Sequence, residues 1–207
     1  MFDLEILHKE NILPVLPLMN RWAIEAFQKP PYSFAGARAN DLVDPQDLFY
    51  VNDPKSIVVV AKSRGQIIGI AAGIAFDSRD LQSYFESRHE GAINEIVKAG
   101  FDPTQMFYLT YILTSEFKEK TLLSCCIFDA IQAWATHIGK NQICWQEDVT
   151  PILNLDTRNT EKIETWKEDV GGFIKMGVQF KFCWPTRQLD ESIKEAEHTM
   201  EFFYRQI

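Results

Sequence analysis

The chain has 207 residues, of which 46% are hydrophobic and 13% aromatic, and it carries a formal net charge of −8. This composition is typical of one folded domain with a sizeable core, and it excludes a largely disordered chain. The negative net charge disfavours general nucleic-acid binding, which normally needs a basic face.

The first third of the chain predicts a strand, a helix and a hairpin. FDLEILH alternates polar and apolar residues, as a strand does, and NILPVLPLMNRWAIEAF spaces its apolar residues at helical intervals. A loop, QKPPYSFAGARA, and a short helix or pair of turns, NDLVDPQDLFYVND, come next. The β-branched runs SIVVVAKS and QIIGIAAGIAF then predict a hairpin. Gly69 and Gly73 in the second run indicate a bulge or a close backbone approach.

The middle of the chain predicts two strands joined by a helix. DSRDLQSYFESRHEGAINEIVKAG first predicts one or two surface helices that end at Gly100. QMFYLTYIL is rich in aromatic and branched residues and predicts a central strand. The following helix has one apolar stripe and ends at Gly139, and NQICWQ predicts the next strand. We expect the strands at residues 106–113 and 141–146 to pair in parallel and then to diverge.

The last third predicts an inserted loop, a helix and two closing strands. The loop is DVTPILNLDTRNT, and EKIETWKEDVGGFIKMG predicts a helix that is interrupted or ended near its glycine pair. VQFKFCWPT and TMEFFYRQI predict strands separated by a polar helix or loop, RQLDESIKEAEH. This order of elements predicts a mixed α/β sheet. We expect a single domain over residues 1–207, with insertions at about 77–104 and 148–160.

The termini and the cysteines bear on location and on metal binding. MFDLEILHKE lacks the apolar core of a secretory signal, and no stretch approaches the roughly 18 apolar residues of a membrane span. The four cysteines have no C-x-x-C spacing, and Cys125 and Cys126 point to different faces of a predicted helix. We therefore expect a cytoplasmic protein with reduced core thiols, without a metal site and without membrane partners.

The connector SEFKEKT lies between the central strand and the next helix. A basic turn before a helix N-terminus suits a phosphate group, because the backbone amides and the helix dipole both favour an anion. The turn holds Lys118 and Lys120 but no glycine. An ordinary solvated helix start, with Ser115 or Thr121 as N-cap, is the alternative, and both interpretations stay open.

In this order of elements the chain resembles the GNAT superfamily of N-acyltransferases, which use acyl-coenzyme A. The resemblance rests on the hairpin, on FYLTYILTSEFKEKTLLSCCIFDAI, on GGFIKMGVQF and on HTMEFFYRQI. The family pattern P-E-Y-R-G-K-G-I-G-x-x-L corresponds to S-E-F-K-E-K-T-L-L-S-C-C here, and F-Y-E-K-L-G-F corresponds to G-F-I-K-M-G-V. The resemblance implies a GNAT-like mixed, partly parallel sheet, with strands diverging at the centre and helices on both faces.

The resemblance also implies that acetyl-CoA or another acyl-CoA binds as a co-substrate, without a metal. Lys118 takes the family's arginine position, and Glu119, Thr121 and Leu123 take its glycine positions. The implied cofactor-binding residues are Ile112, Leu113, Lys118, Glu119, Lys120, Thr121, Leu122 and Leu123. A strand backbone amide near Leu113 would polarise the thioester. The acceptor would be a small-molecule or peptide amine, and the protein a monomer or homodimer.

Two positions lack the catalytic groups that are usual in the family. Thr110 stands where a glutamate often acts as the base, and Phe173 stands where a tyrosine commonly acts as the acid. Tyr108 and Tyr111 on the central strand are weak substitutes, with packing in the core as the alternative for each. The resemblance implies an acetyl-CoA-dependent N-acetyltransferase, and the missing groups predict slow or absent transfer to generic amines. The alternative is a non-catalytic protein of the same fold that binds a ligand or partner through the cleft.

Two side chains are candidates for the acceptor side, Tyr32 and Glu147. Tyr32 lies in a proline-rich loop, and Glu147 ends the strand after the cofactor helix, where it could bind a cationic acceptor. For Tyr32 the alternative is a residue that covers the core, and for Glu147 it is a solvated strand end. His198 precedes the last predicted strand and is expected at the surface.

Overall fold

The computed structural model describes residues 1–28, 35, 48–115, 120–150, 172–187 and 191–207. These residues form a seven-stranded sheet in the order β1-β2-β3-β4-β5-β7-β6. The strands are β1 (Asp3–Leu7), β2 (Ile57–Ser63), β3 (Gln66–Ala75), β4 (Met106–Thr114), β5 (Gln142–Asp148), β6 (Ile174–Arg187) and β7 (Ile193–Gln206). The helices are α1 (Leu16–Phe27), α2 (Leu48–Asn52), α3 (Arg79–Arg88), α4 (Ala92–Lys98) and α5 (Lys120–His137).

Helices cover both faces of this sheet, as expected from the resemblance. On one face α1, α3 and α4 bury residues such as Met19, Phe85 and Ile96. On the other face α5 buries its predicted stripe, with Leu123, Ile127 and Ile131 at 0% exposure. The predicted mixed α/β fold class is therefore confirmed. Within the described residues, no helix is both long and apolar enough to cross a membrane.

The strand predicted to be central, β4, lies in the middle of the sheet. It pairs with β3 in the antiparallel sense and with β5 in the parallel sense. Its ladder with β5 runs through the pairs Met106–Gln142, Phe107–Ile143 and Tyr108–Cys144 and then ends. The prediction that these strands pair in parallel and diverge is confirmed, because α5 carries the chain from the end of one strand to the start of the other.

A bulge interrupts β4 at Thr110. The register shifts between Ala72, which faces Tyr111, and Gly73, which faces Leu109. Thr110 is therefore an extra residue without a direct partner on β3. A Cβ atom at Gly73 would lie 2.3 Å from Phe107 Cε1 and 3.0 Å from the Tyr108 carbonyl oxygen. The predicted close backbone approach at this glycine is confirmed.

One predicted boundary near the C-terminus was wrong. Residues 174–177, at the end of the segment whose helix was expected to be interrupted or ended near its glycine pair, open β6, and residues 151–171 before them lie outside the described part. Residues 193–198, assigned to a polar helix or loop, are the start of β7. They pair with residues 182–187 of β6, beyond the last β5 pair at Met200. Apart from the buried Thr186 and His198, this stretch is a largely exposed, charged two-stranded ribbon, so it lacks the one-sided apolar alternation that identifies a strand.

An ion pair holds the end of the sheet where β4 and β5 begin. The Lys140 side chain is 3% exposed, and its Nζ lies 2.8 Å from Asp77 Oδ1. Lys140 also donates to the Thr104 carbonyl at 2.7 Å, and Lys55 reaches Asp77 at 3.2 Å. Burial raises the pKa of Asp77, but hydrogen bonds and attraction from Lys140 and Lys55 outweigh it, and the pKa falls below its ordinary value of 3.8.

Replacing Asp77 with asparagine should therefore lower the free energy of unfolding at pH 7 by about 2 kcal/mol. This value lies within the range of about 1.5–3 kcal/mol for a hydrogen bond to a charged group. A lowered folded-state pKa stabilises the protein above the unfolded pKa, and this contribution is lost as pH falls through the folded pKa. The difference between the wild type and Asp77→Asn should thus shrink below about pH 4. Urea unfolding across pH checks this, with the exposed Asp129→Asn as the matched control. A difference that persists unchanged at low pH would contradict it.

Candidate functional site

The divergence of β4 and β5 opens a cleft at their carboxyl ends. Beyond Tyr108 and Cys144, β4 continues along β3 while β5 continues along β7. A cavity of about 310 Å³ lies in the gap. Its lining residues are Ala26, Leu109, Thr110, Tyr111, Ile112, Leu113, Ser124, Trp145, Gln146 and Glu147. Ligands of open α/β sheets bind at such a point.

The edge of β4 that borders the cleft has backbone groups directed into it. Just past the strand end, the Ser115 amide donates to the Ile68 carbonyl of β3 at 2.9 Å. In an antiparallel pair the direction of the amides alternates, so those of residues 113 and 111 also face β3. The amides of Ile112 and Thr114 then face the gap. An extended ligand can pair with this edge as an additional strand does.

The bulge places a hydroxyl pair at the wall of the cleft. The Tyr50 hydroxyl donates to Thr110 Oγ1 at 2.6 Å. Tyr50 is 6% exposed and lies on the short helix α2. Ser56 Oγ donates to the Tyr50 carbonyl at 2.5 Å, which ties this helix to the start of β2. Thr110 therefore accepts a hydrogen bond from the buried Tyr50 hydroxyl and is itself one of the residues that line the cleft.

The two tyrosines predicted as weak catalytic candidates occupy different places. Tyr108 is 8% exposed and packs in the core, with rings of Phe76 and Phe85 at 6.1 and 5.4 Å. Its hydroxyl lies 3.4 Å from Gln146 Oε1. Tyr111 lines the cleft, but its hydroxyl oxygen is buried. The structure thus brings Tyr111 to the cavity and keeps the Tyr108 ring in the core.

The predicted cofactor-binding residues also separate. Ile112 and Leu113 line the cleft on β4. In the first turn of α5, Thr121 and Leu122 are exposed, whereas the Leu123 side chain is completely buried in the core. A ligand contact at Leu123 would have to come from its backbone amide. Lys118, Glu119 and the Lys120 side chain lie outside the described part, as does Tyr32.

The wall formed by β5 combines a buried carboxylate with an aromatic stack. Glu147 lines the cleft at 9% exposure, so the alternative of a solvated strand end was wrong. Trp145 lines the same wall and stacks on Phe173 with ring centroids 4.3 Å apart. Phe173 also packs edge-on against Phe128 at 5.7 Å. The residue at the family's acid position is therefore a packing residue behind the cleft wall.

A buried polar cluster, Asp148–His198–Thr186, joins the ends of β5, β7 and β6. His198 Nδ1 lies 2.6 Å from Asp148 Oδ2, and its Nε2 lies 2.8 Å from Thr186 Oγ1. His198 is 4% exposed, so the expectation of a surface residue was wrong. Its ring stacks on Trp184 at 3.9 Å. Because a carboxylate only accepts hydrogen bonds, Nδ1 carries a proton.

The cysteines differ in environment, and the expectation of four core thiols was only partly right. Cys144 is fully buried at the base of the cleft, whereas Cys183 is exposed. Burial raises the pKa of the Cys144 thiol well above its usual range, so this group stays a neutral thiol near neutral pH. Among the described residues, no group of three or more His, Cys, Asp and Glu side chains could hold a metal ion.

Sequence reasoning singled out Thr110 but missed its partner Tyr50, and it missed the cleft residues Gln146 and Ser124. Tyr50 and Thr110 are 60 positions apart, and no local pattern links them. Gln146 was placed on a strand without a role, and Ser124 lies in the second turn of α5 within the predicted helix. A signal for Gln146 was present, since it lies two positions beyond Cys144, the last residue of β5 that pairs with β4, and so at the carboxyl end of a parallel strand.

The fold was compared with solved structures. The GNAT-family acetyltransferase from Streptococcus pneumoniae superposes with a TM-score of 0.56 at 12% identity, covering 100% of both chains. A protein from Salmonella typhimurium, solved with its cofactor acetyl-CoA, has a TM-score of 0.56 at 12% identity, covering 99% of this chain and 94% of that chain. The ribosomal-protein-alanine N-acetyltransferase from Brucella melitensis has a TM-score of 0.54 at 12% identity, with 98% and 99% covered.

These similarities are structural, and they establish that the chain has the fold of GNAT acetyltransferases. No family model matches the sequence, and no curated protein matches it. The resemblance stated from the order of elements is thereby confirmed at the level of fold, which is the level on which it rested.

Proposed function

We propose that this GNAT-fold chain transfers an acetyl or other acyl group from acyl-coenzyme A to an amine. The observation that carries the proposal is the divergence of β4 from β5, which leaves a cleft beside a strand edge at the start of α5. A solved protein of the same fold, from Salmonella typhimurium, holds acetyl-CoA. The chain's own cleft has the features that such a co-substrate needs.

The cleft residues fit coenzyme A in two respects and depart from the family in one. The amides of Ile112 and Thr114 face the gap and suit an extended, amide-bearing arm. The first amides of α5 have no partner within the helix and suit a pyrophosphate, and in the sequence Lys118 and Lys120 stand just before and at the start of this helix. The departure is the lack of glycine at Glu119, Thr121 and Leu123, the positions at which glycine in the family lets the backbone approach the phosphate closely.

The two walls of the cleft would have different roles, with β4 stabilising the thioester carbonyl and β5 binding the amine. Bound acyl-coenzyme A supplies a thioester, which is an activated acyl group. On the β4 side, the amide of Ile112 or Thr114, either side of Leu113, would hold the carbonyl oxygen as negative charge develops there. On the β5 side, Glu147 would attract a cationic amine and accept its proton directly or through water. Transfer would occur by direct attack, because the strands hold both reactants together.

The second candidate is a non-catalytic GNAT-fold protein that binds a ligand or partner through this cleft. Thr110 and Phe173 favour it, because neither is an acid or base near neutral pH and Phe173 only packs behind Trp145. A thiol-release assay over polyamines, amino acids and peptides separates the two candidates. Turnover with any acceptor establishes the enzyme, and binding of coenzyme A without turnover favours the second candidate.

Calorimetric titration with coenzyme A and with acetyl-CoA is the direct test of the proposal. Changing Lys118 and Lys120 together to alanine should weaken binding by about 1–3 kcal/mol, the range for charge-assisted hydrogen bonds to phosphate. The exposed pair Lys98 and Lys194, changed together, gives the same loss of charge elsewhere and should leave binding unchanged. Equal affinity of the two double variants for coenzyme A would show that the pyrophosphate does not bind at Lys118 and Lys120.

A further inference from the structure

The mechanism proposed above gives no role to the hydrogen-bonded hydroxyls of Tyr50 and Thr110. The pair consists of a buried tyrosine on α2 and the bulged residue of β4, with 2.6 Å between the two oxygens. A threonine hydroxyl donates one hydrogen bond and accepts two. Since Tyr50 donates to Thr110, the Thr110 proton is left for another acceptor. Within the described residues, Thr110 makes no further side-chain hydrogen bond.

The position of Thr110 along β4 matches the reach of the co-substrate. Thr114 and Thr110 are separated by about 13 Å of strand, at roughly 3.3 Å per residue. A pantetheine arm extends about as far as five extended residues, roughly 16 Å. An arm that starts at the first turn of α5 and follows β4 inward therefore brings its sulfur to the bulge. Beyond the bulge the strands close at the Tyr108–Cys144 pair.

We infer that Thr110, held by Tyr50, donates a hydrogen bond to the coenzyme A sulfur and stabilises it as the leaving group. This inference rests on the proposed function. During transfer the amine nitrogen forms a bond to the carbonyl carbon, the carbon–sulfur bond breaks, and its electron pair remains on sulfur. The amine loses its proton to base or water, and the released thiolate gains one from solvent. Thr110 keeps its own proton and contacts the reacting sulfur, so it is the catalytic residue.

Tyr50 is a positioning residue, because it acts through Thr110. Its hydrogen bond fixes the Thr110 rotor, and a hydroxyl that accepts a hydrogen bond becomes a stronger donor. The burial of Tyr50 removes competing water from this contact. The arrangement supplies a donor on the sulfur although Phe173 stands at the family's acid position.

The test measures the pKa of the coenzyme A thiol when it is bound, from thiolate absorbance against pH at saturating protein. No amine acceptor is needed. In the wild type this pKa should fall about one to two units below that of free coenzyme A, since a hydrogen bond to the thiolate favours the charged form. Thr110→Val should abolish most of the decrease, Thr110→Ser should retain it, and Tyr50→Phe should lose part of it.

The outcomes separate the inference from the proposed function. If coenzyme A binds and Thr110→Val leaves the thiol pKa of the complex unchanged, the inference is overturned while the function stands. If coenzyme A at millimolar concentration does not bind to the wild type, both are overturned. Thermal melting, and coenzyme A binding at a pH below the thiol pKa, verify that each variant is folded. If Thr110→Val does not fold, Tyr50→Phe still tests the inference. Tyr84→Phe and Thr136→Val remove the same two groups away from the cleft and should change nothing.

Discussion

Replacing Ser124 with tryptophan should weaken coenzyme A binding by about 100-fold or more, which corresponds to about 2.8 kcal/mol. Ser124 lies in the second turn of α5, is 9% exposed and lines the cleft between the helix and β4. An indole at this position would fill the space where the extended arm pairs with the strand. A single ligand could then no longer reach both the β4 strand edge and the first amides of α5.

The matched control for this change is Ser87→Trp. Ser87 is exposed on α3, on the opposite face of the sheet from α5, so the same substitution there leaves the cleft open. Calorimetry with coenzyme A compares the two variants, and circular dichroism with thermal melting verifies that both are folded. A folded Ser124→Trp protein that binds with wild-type affinity would show that coenzyme A does not use this cleft.

Replacing Asp148 with alanine should lower the free energy of unfolding by about 3 kcal/mol or more, because each buried donor left without its acceptor costs about 1–3 kcal/mol. The Asp148 side chain is 0% exposed. It accepts from the Thr150 amide at 2.9 Å, from the Thr150 hydroxyl at 2.5 Å, and pairs with His198. Its removal would leave an imidazole, an amide and a hydroxyl without their acceptor inside the protein, which is costly.

Urea unfolding with a constant m-value measures this loss. Asp129→Ala, an exposed aspartate on α5, is the control and should change stability by no more than about 0.5 kcal/mol. The double variant Asp148→Ala/His198→Ala should be less destabilised than the sum of the single variants, because the two residues share one interaction. Additive losses would mean that the two side chains stabilise the protein independently.

The elements that the sequence predicts well are those with a strong one-sided pattern. The run that became β4 has aromatic and branched residues throughout, and α5 has an apolar stripe of regular spacing, so both were located together with the crossover between them. The parallel ladder followed from that unit, and its divergence followed from the same unit joined to the preceding antiparallel hairpin. Gly73 was also identified correctly, because glycine inside a strand marks a place where two backbones approach closely.

The features that the sequence did not reveal depend on contacts between distant segments. Glu195 and Lys194 look like helix or loop residues, yet they form a strand because β6 extends beyond the rest of the sheet to meet them. His198 is polar and flanked by polar residues, and only the pairing with Asp148 across 50 positions explains its burial. The role of Thr110 likewise depends on Tyr50, which no spacing rule connects to β4.

The short ladder between β4 and β5 leaves the width of the cleft mouth open to change. Three residue pairs join the two halves of the sheet, and aromatic rings pack on either face beside the opening. Trp145 and Phe173 stack on one face, and Phe85 packs between Tyr108 and Phe202 on the other. Exchanging one such ring for a larger or smaller one would widen or narrow the mouth while every backbone pair survives. Under the proposed function, acyl groups of different bulk would become accessible through single substitutions of these rings.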